Sequence, residues 1–258
     1  MQHKIIGTTM PVLEMSLDPG DRVIAEAGEL SWLTSTIALH TSTSAGANKG
    51  FLGAIKRAVG GGTLFMTEYT ANGGPGMVAF ATKVPGHILP VEVTRNSGYL
   101  IHRHGFLCGT AGIELSVGFQ RSLGAGVFGG QGFVLQKIAG EGTSWIELDG
   151  EVVTYDLSPG ETLRVHPGHV GMFEGTVNFD ITMLPGIRNI LFGGDGLFLA
   201  ALTGPGRVWL QSLPLSNLAH ALAQYLPSGR GADSAGNAAG AGLAGAVIGG
   251  LLGGNRDD

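Results

Sequence analysis

The sequence predicts an all-β protein of three similar units, followed by a short helix and a Gly/Ala-rich C-terminal tail. Three observations carry this. Glycine supplies 46 of 258 residues, where an average chain holds about 7%, and charged residues stand at 14%, where about 25% is usual, so turns and apolar strands dominate. Stretches such as Arg22-Val23-Ile24-Ala25-Glu26 and Thr162-Leu163-Arg164-Val165-His166 alternate polar and apolar, as half-buried strands do. Two kinds of segment also recur in strict alternation, three times each.

The first kind begins with a Pro-Gly turn and runs into alternating strands: Asp18-Pro19-Gly20-Asp21 onward, Val84-Pro85-Gly86-His87 onward, and Ser158-Pro159-Gly160-Glu161 onward. Pro presets φ near −65° and Gly supplies φ > 0, the combination a tight turn needs. The second kind is an apolar strand, a Gly-x-Gly turn and another apolar strand. It occurs around Gly74-Pro75-Gly76, Gly140-Glu141-Gly142 and Gly204-Pro205-Gly206, and each copy reads as a hairpin. Because the Pro-Gly kind comes first and the Gly-x-Gly kind last, units at about 62–121 and 131–183 are continuous. The third must join 192–213 to 10–45. The expectation is a closed body over 1–213 in which N- and C-terminal strands share one unit, which removes two exposed edges.

Two short helices interrupt the strands. Phe51, Ile55 and Val59 recur at i, i+4, i+8 after a possible cap at Asn48, and Leu218, Leu222, Ala223 and Leu226 recur after Pro214, which places a helix in 214–227. Residues 228–258 form the tail, where Gly245, Gly249 and Gly253 repeat every four residues as a glycine zipper would. That row, with Lys56 and Arg57 beside Phe51, is the candidate contact with a membrane surface or a protein partner.

Composition excludes several classes. One cysteine, Cys108, cannot form an internal disulfide or a multi-thiolate metal site. A net charge of −5 lacks the basic field that nucleic-acid binding needs. Met1 to Met15 carries no signal-peptide pattern, so cytoplasmic residence is expected, peripheral to a membrane if the tail engages one.

Chemical motifs are sparse. His102-Arg103-His104 on a strand places both imidazoles on one face, and with Glu114 it offers a cupin-like ligand set at unusually long spacing. Gly124 to Gly129 satisfies GxGxxG, but a strand follows it where a dinucleotide site requires a helix. Glu147 and Asp149 read as solvent-facing strand ends, and Cys108 as a core residue.

Taken in order, Phe51-Leu52-Gly53 with Lys56-Arg57, Pro85-Gly86, Tyr99 to Cys108, Gly140-Glu141-Gly142 with Leu157 to Val165, and Gly204 to Ser212 resemble the uncharacterised family named for altered inheritance of mitochondria, of the tryptophan RNA-binding attenuation protein-like superfamily. The resemblance implies β-sandwich or prism-like units in a pseudo-threefold arrangement, and a homotrimer. It carries no catalytic residues. The expected function is a non-catalytic scaffold or binding protein without a cofactor, with a cupin-like metalloenzyme centred on His102 and His104 as the alternative.

Overall fold

The computed structural model describes residues 1–42, 66–121, 133–183, 198–223 and 225. They are nearly all strand, arranged in antiparallel sheets. A four-stranded sheet runs in the order β1 (Gln2–Ile6), β2 (Val12–Leu17), β7 (Gly76–Ala81), β4 (Trp32–Leu33). A six-stranded sheet follows the order β5 (Ile37–Ser42), β6 (Met66–Ala71), β3 (Arg22–Glu26), β10 (Phe106–Thr110), β13 (Gly142–Asp149), β8 (Gly86–Val93). The second six-stranded sheet is β11 (Ile113–Arg121), β12 (Phe133–Gly140), β9 (Tyr99–His102), β16 (Val170–Glu174), β19 (Gly206–Gln211), β14 (Val152–Leu157). The last has three strands, β15 (Thr162–Val165), β18 (Phe198–Thr203) and β17 (Asn178–Met183).

Two Pro-Gly turns form as the sequence expects. The Asp21 N–H donates to the Asp18 carbonyl at 2.9 Å, and Glu161 N–H to the Ser158 carbonyl at 3.0 Å. Gly20 and Gly160 hold φ of 96° and 80°, the left-handed value this turn requires at its third position. In each, the acid closing the turn reaches back: Asp21 Oδ2 accepts from Asp18 N–H and Glu161 Oε2 from Ser158 N–H. The third copy departs, because Gly86 opens β8 and donates its N–H to Thr9.

The Gly-x-Gly segments are not hairpins. β6 and β7 lie in different sheets, as do β12 and β13, and β18 and β19. Each Gly-x-Gly is a corner at which the chain leaves one sheet for another. Local sequence cannot separate the two, since a hairpin and a corner both read as strand, glycine turn, strand. The crowding at the middle corner shows why glycine is needed: Gly140 has φ 98°, and a Cβ there would collide with the Gly112 carbonyl oxygen.

Three apolar cores fill the spaces between sheets. Leu13, Met15, Tyr69, Phe80 and Trp145 pack between the four-stranded sheet and the first six-stranded one. Ile101, Phe106, Ile138, Ile146 and Leu148 join the two six-stranded sheets. Leu135, Phe173, Ile181, Leu202 and Val208 join the second of these to the three-stranded sheet. Each fully buried large apolar side chain contributes about 1.5–3 kcal/mol relative to exposure.

The expected pairing of N- and C-terminal strands within one unit is not made by hydrogen bonds among the described residues. β2 pairs with β1 and β7, β18 with β15 and β17, and β19 with β14 and β16. The corner before β19 splits the last segment between two sheets. Of the two expected helices, one is described, α1 (Leu215–Ala223). Residues 48–59, the GxGxxG at 124–129, Lys56, Arg57, Gly245, Gly249 and Gly253 all lie outside the described residues. Among the described residues no helix is long and apolar enough to cross a membrane.

Candidate functional site

β13 is the strand around which the polar chemistry gathers. Its residues Trp145 and Ile146 enter different cores, so both of its faces are covered. Glu147 and Asp149, on the Trp145 side, are therefore interior residues at 2% exposure each, not solvent-facing strand ends. The sequence pattern of alternating apolar and acidic residues misleads here, because alternation marks a half-exposed strand only when one face meets water.

Segments from four parts of the fold meet at these two residues and the nearby acids Glu26 and Glu29. From the segment after β7, the Lys83 N–H donates to Glu147 Oε1 at 2.8 Å, while its ammonium meets both oxygens of Glu29 at 2.6 and 2.7 Å. From the end of β9, His102 Nε2–H donates to the Glu147 carbonyl at 2.9 Å. From β12, Gln136 Nε2 donates to Glu26 Oε1 at 2.7 Å. From β19, Gln211 Oε1 accepts the Asp149 N–H at 3.1 Å. Glu147 Oε2, Asp149 Oδ2 and Gln136 Oε1 are buried with no hydrogen-bond partner among the described residues.

Burial sets the protonation of this junction. It pushes the Glu147 carboxyl up to about 7, and lifts Asp149 to about 6. Glu26 also rises to about 7, through burial first and the charge of Glu29 second. The same desolvation pushes His102 and His104 down to about 4, so both imidazoles are neutral near pH 7. Cys108, fully buried, has its thiol raised by burial and cannot supply a thiolate.

The metal set expected from sequence is not assembled. β9 ends at His102, so His104 lies in the turn before β10 and the two imidazoles do not share a strand face. His102 Nε2 is already engaged, and Glu114 is an exposed residue of β11, opposite Ala139. Among the described residues no three His, Cys, Asp or Glu side chains converge on a metal-sized site.

A second feature is open to solvent. A groove of about 620 Å³ lies between the loop before β9, the β11–β12 pair and the turn after β16, with Arg95, Asn96, Tyr99, Lys137, Glu174 and Thr176 in its lining. That volume is within the range of small-molecule sites. Arg95 Nε holds Glu141 at 2.8 Å, and Glu174 Oε2 accepts the Arg207 N–H at 3.0 Å. Gly118 keeps the floor low: a Cβ there would press on Lys137 and Leu100. Sequence reading missed this groove because its walls come from four distant segments with no motif in common.

The order of sheets, corners and cores can be set beside known proteins. The profile of the family described as mitochondrial biogenesis AIM24 matches residues 3–213, the whole β body. The chain belongs to the AIM24 family. An uncharacterized protein of Streptococcus pyogenes serotype M6 is 29% identical over 224 residues, covering 84% of this chain and 88% of that one. A crystal structure of a Streptococcus pyogenes protein superposes with a TM-score of 0.70 at 25% identity, covering 87% of this chain and 99% of the other. These AIM24 relatives bring the fold without an assigned reaction.

Proposed function

We propose that the chain is a non-catalytic binding protein, a three-unit β scaffold whose groove beside Tyr99 holds a small zwitterionic or peptide-like ligand. The groove carries this reading. Its lining offers cations at Lys137 and at Arg95, which also holds Glu141, an anion at Glu174, and the amide and hydroxyl groups of Asn96, Ser97 and Thr176. The groups with catalytic potential, His102, Glu147 and Cys108, are held in the interior and tied to backbone or packed in the core.

The pseudo-threefold scaffold is supported by strand order. In both six-stranded sheets the strand before a corner is second (β6, β12) and a strand after a corner is fifth (β13, β19). The same sequence of roles reads through β17-β18-β15 and then β4-β7-β2, as one sheet of this kind divided in two. This arrangement would bring the chain ends to one face without hydrogen bonds between them.

Thermal-shift measurements on the full chain, with a panel of amino acids, dicarboxylates, amines and tripeptides, test the groove. Panel members should raise the Tm of the wild type and leave Asn96→Trp/Lys137→Glu unmoved. The reading is overturned if no member binds, if the variant binds equally, or if a panel member is turned over in a residue-dependent way.

A further inference from the structure

Glu147 and Gln211 perform the same task in successive copies of the repeat. Each stands five residues beyond the second glycine of its corner, Gly142 or Gly206. Each uses a side-chain oxygen to cap a backbone N–H two positions further along in the preceding copy: Lys83, seven beyond Gly76, and Asp149, seven beyond Gly142. In the remaining copy the capping position is Ala81, which has no acceptor, and the Leu213 N–H turns to the Asp149 carbonyl. Gln211 is neutral at every pH and spends its other end on the Gly168 carbonyl at 3.2 Å. Glu147 has an ionisable group in that place, and its second oxygen has no partner among the described residues.

Burial above all, with the acids nearby, opposes a charge on Glu147 and outweighs the Lys83 N–H and ammonium, which favour one. On β13 itself stands Asp149. Glu26 faces the cluster from the end of β3, and Glu29 from the segment that follows it. Lys83 comes from the segment after β7, and His102, Arg103 and His104 from the end of β9 and its turn. Tyr69 and Cys108 also feel the charge of Glu29. The Lys83 ammonium is taken by both oxygens of Glu29, and Gln136 donates to Glu26. A buried carboxylate left with one hydrogen bond beside other acids is unfavourable, and a proton relieves it.

We propose that Glu147 is a proton-operated latch that fixes the exit of the four-stranded sheet, at Lys83, to β13, closed while its carboxyl is protonated and weakened once it ionises. Gln211 is the same latch without the switch. The device rests on the junction geometry and is independent of the groove.

Amide hydrogen exchange of the full chain, compared between wild type and Glu147→Gln, reads it. A group held protonated in the closed state strengthens closure as pH falls. The ratio of Lys83 protection in wild type to that in the variant should therefore drop about tenfold per pH unit between roughly pH 5 and 7, then level off. The Asp149 amide, capped by Gln211, should show no such change. A ratio independent of pH overturns the proposal. If the variant does not fold, a ¹³C titration of the Glu147 carboxyl in the wild type decides: a midpoint near neutrality upholds the latch, and one in the ordinary glutamate range overturns it.

Discussion

Lys83 and Glu29 form an ion pair across two connections of the fold, with the ammonium on both carboxylate oxygens and Glu29 only 8% exposed against 41% for Lys83. The pair ties the segment after β7 to the segment after β3, so two sheets are joined by side chains where no ladder joins them. Removing one partner leaves the other charge in a poorly hydrated place. Lys83→Met should cost about 1–3 kcal/mol in urea unfolding. Lys83→Met/Glu29→Leu should recover much of that loss, since the orphaned charge goes too. Equal loss in the single and double variants would refute this account.

The pH response of Glu147 follows from the direction of its shift. Its folded value of about 7 is above the ordinary 4.5, so the folded state binds the extra proton between those limits. The stability it confers is full below pH 4.5 and lost as pH rises to 7. Glu147→Gln should therefore raise stability at pH 8, on the order of 2 kcal/mol, and leave it nearly unchanged at pH 4. His102, neutral down to about 4, has the opposite sign: its contribution is present above 6.5 and lost as pH falls toward 4. Thermal melts across pH 4–8 on the Glu147 and His102 variants separate the two.

The Gln211→Glu variant should import pH sensitivity. Its carboxyl would inherit the cap on Asp149 N–H, while an ionised form cannot donate to Gly168. Stability of this variant should fall relative to wild type as pH rises, and the Asp149 amide should exchange faster at pH 8 than at pH 5 after correction for intrinsic chemistry.

Glycines at corners and at open turns should differ in tolerance. Gly160 has φ 80° with open space around its Cβ position, so Gly160→Ala should cost about 1–2 kcal/mol from backbone strain alone. Gly140→Ala adds a collision with backbone to a similar φ and should cost about 1–3 kcal/mol more. Denaturant midpoints of the two variants make the comparison.

The tail carries a sequence-based prediction. Liposome flotation of the full chain should exceed that of a chain ending at Pro227, which lacks the row of Gly245, Gly249 and Gly253. Equal flotation of the two chains would remove the glycine row from any membrane contact.

The alternation around Val23 and Leu163, the Pro-Gly turns at Asp18 and Ser158, the positions of the three Gly-x-Gly turns and the burial of Cys108 were all legible in the chain. Each depends on neighbours within a few residues or on composition. Reading Glu147 and Asp149 as exposed failed because the sequence pattern reports one face of a strand at a time, and β13 is covered on both. The histidine pair was misjudged by two residues, since β9 stops at His102 and the face relation ends before His104. The groove had no local signature at all.

By itself the sequence determined that this protein would be built of short strands and where the chain would turn, because φ preferences and hydrophobic period act over a handful of residues. Only the tertiary structure decided which strands would pair, that the Gly-x-Gly turns would be corners between sheets, and that four acids and two histidines would meet around Lys83. Strand pairing and desolvation depend on segments a hundred residues apart, and no local preference encodes which of several equally apolar faces will close over a given strand.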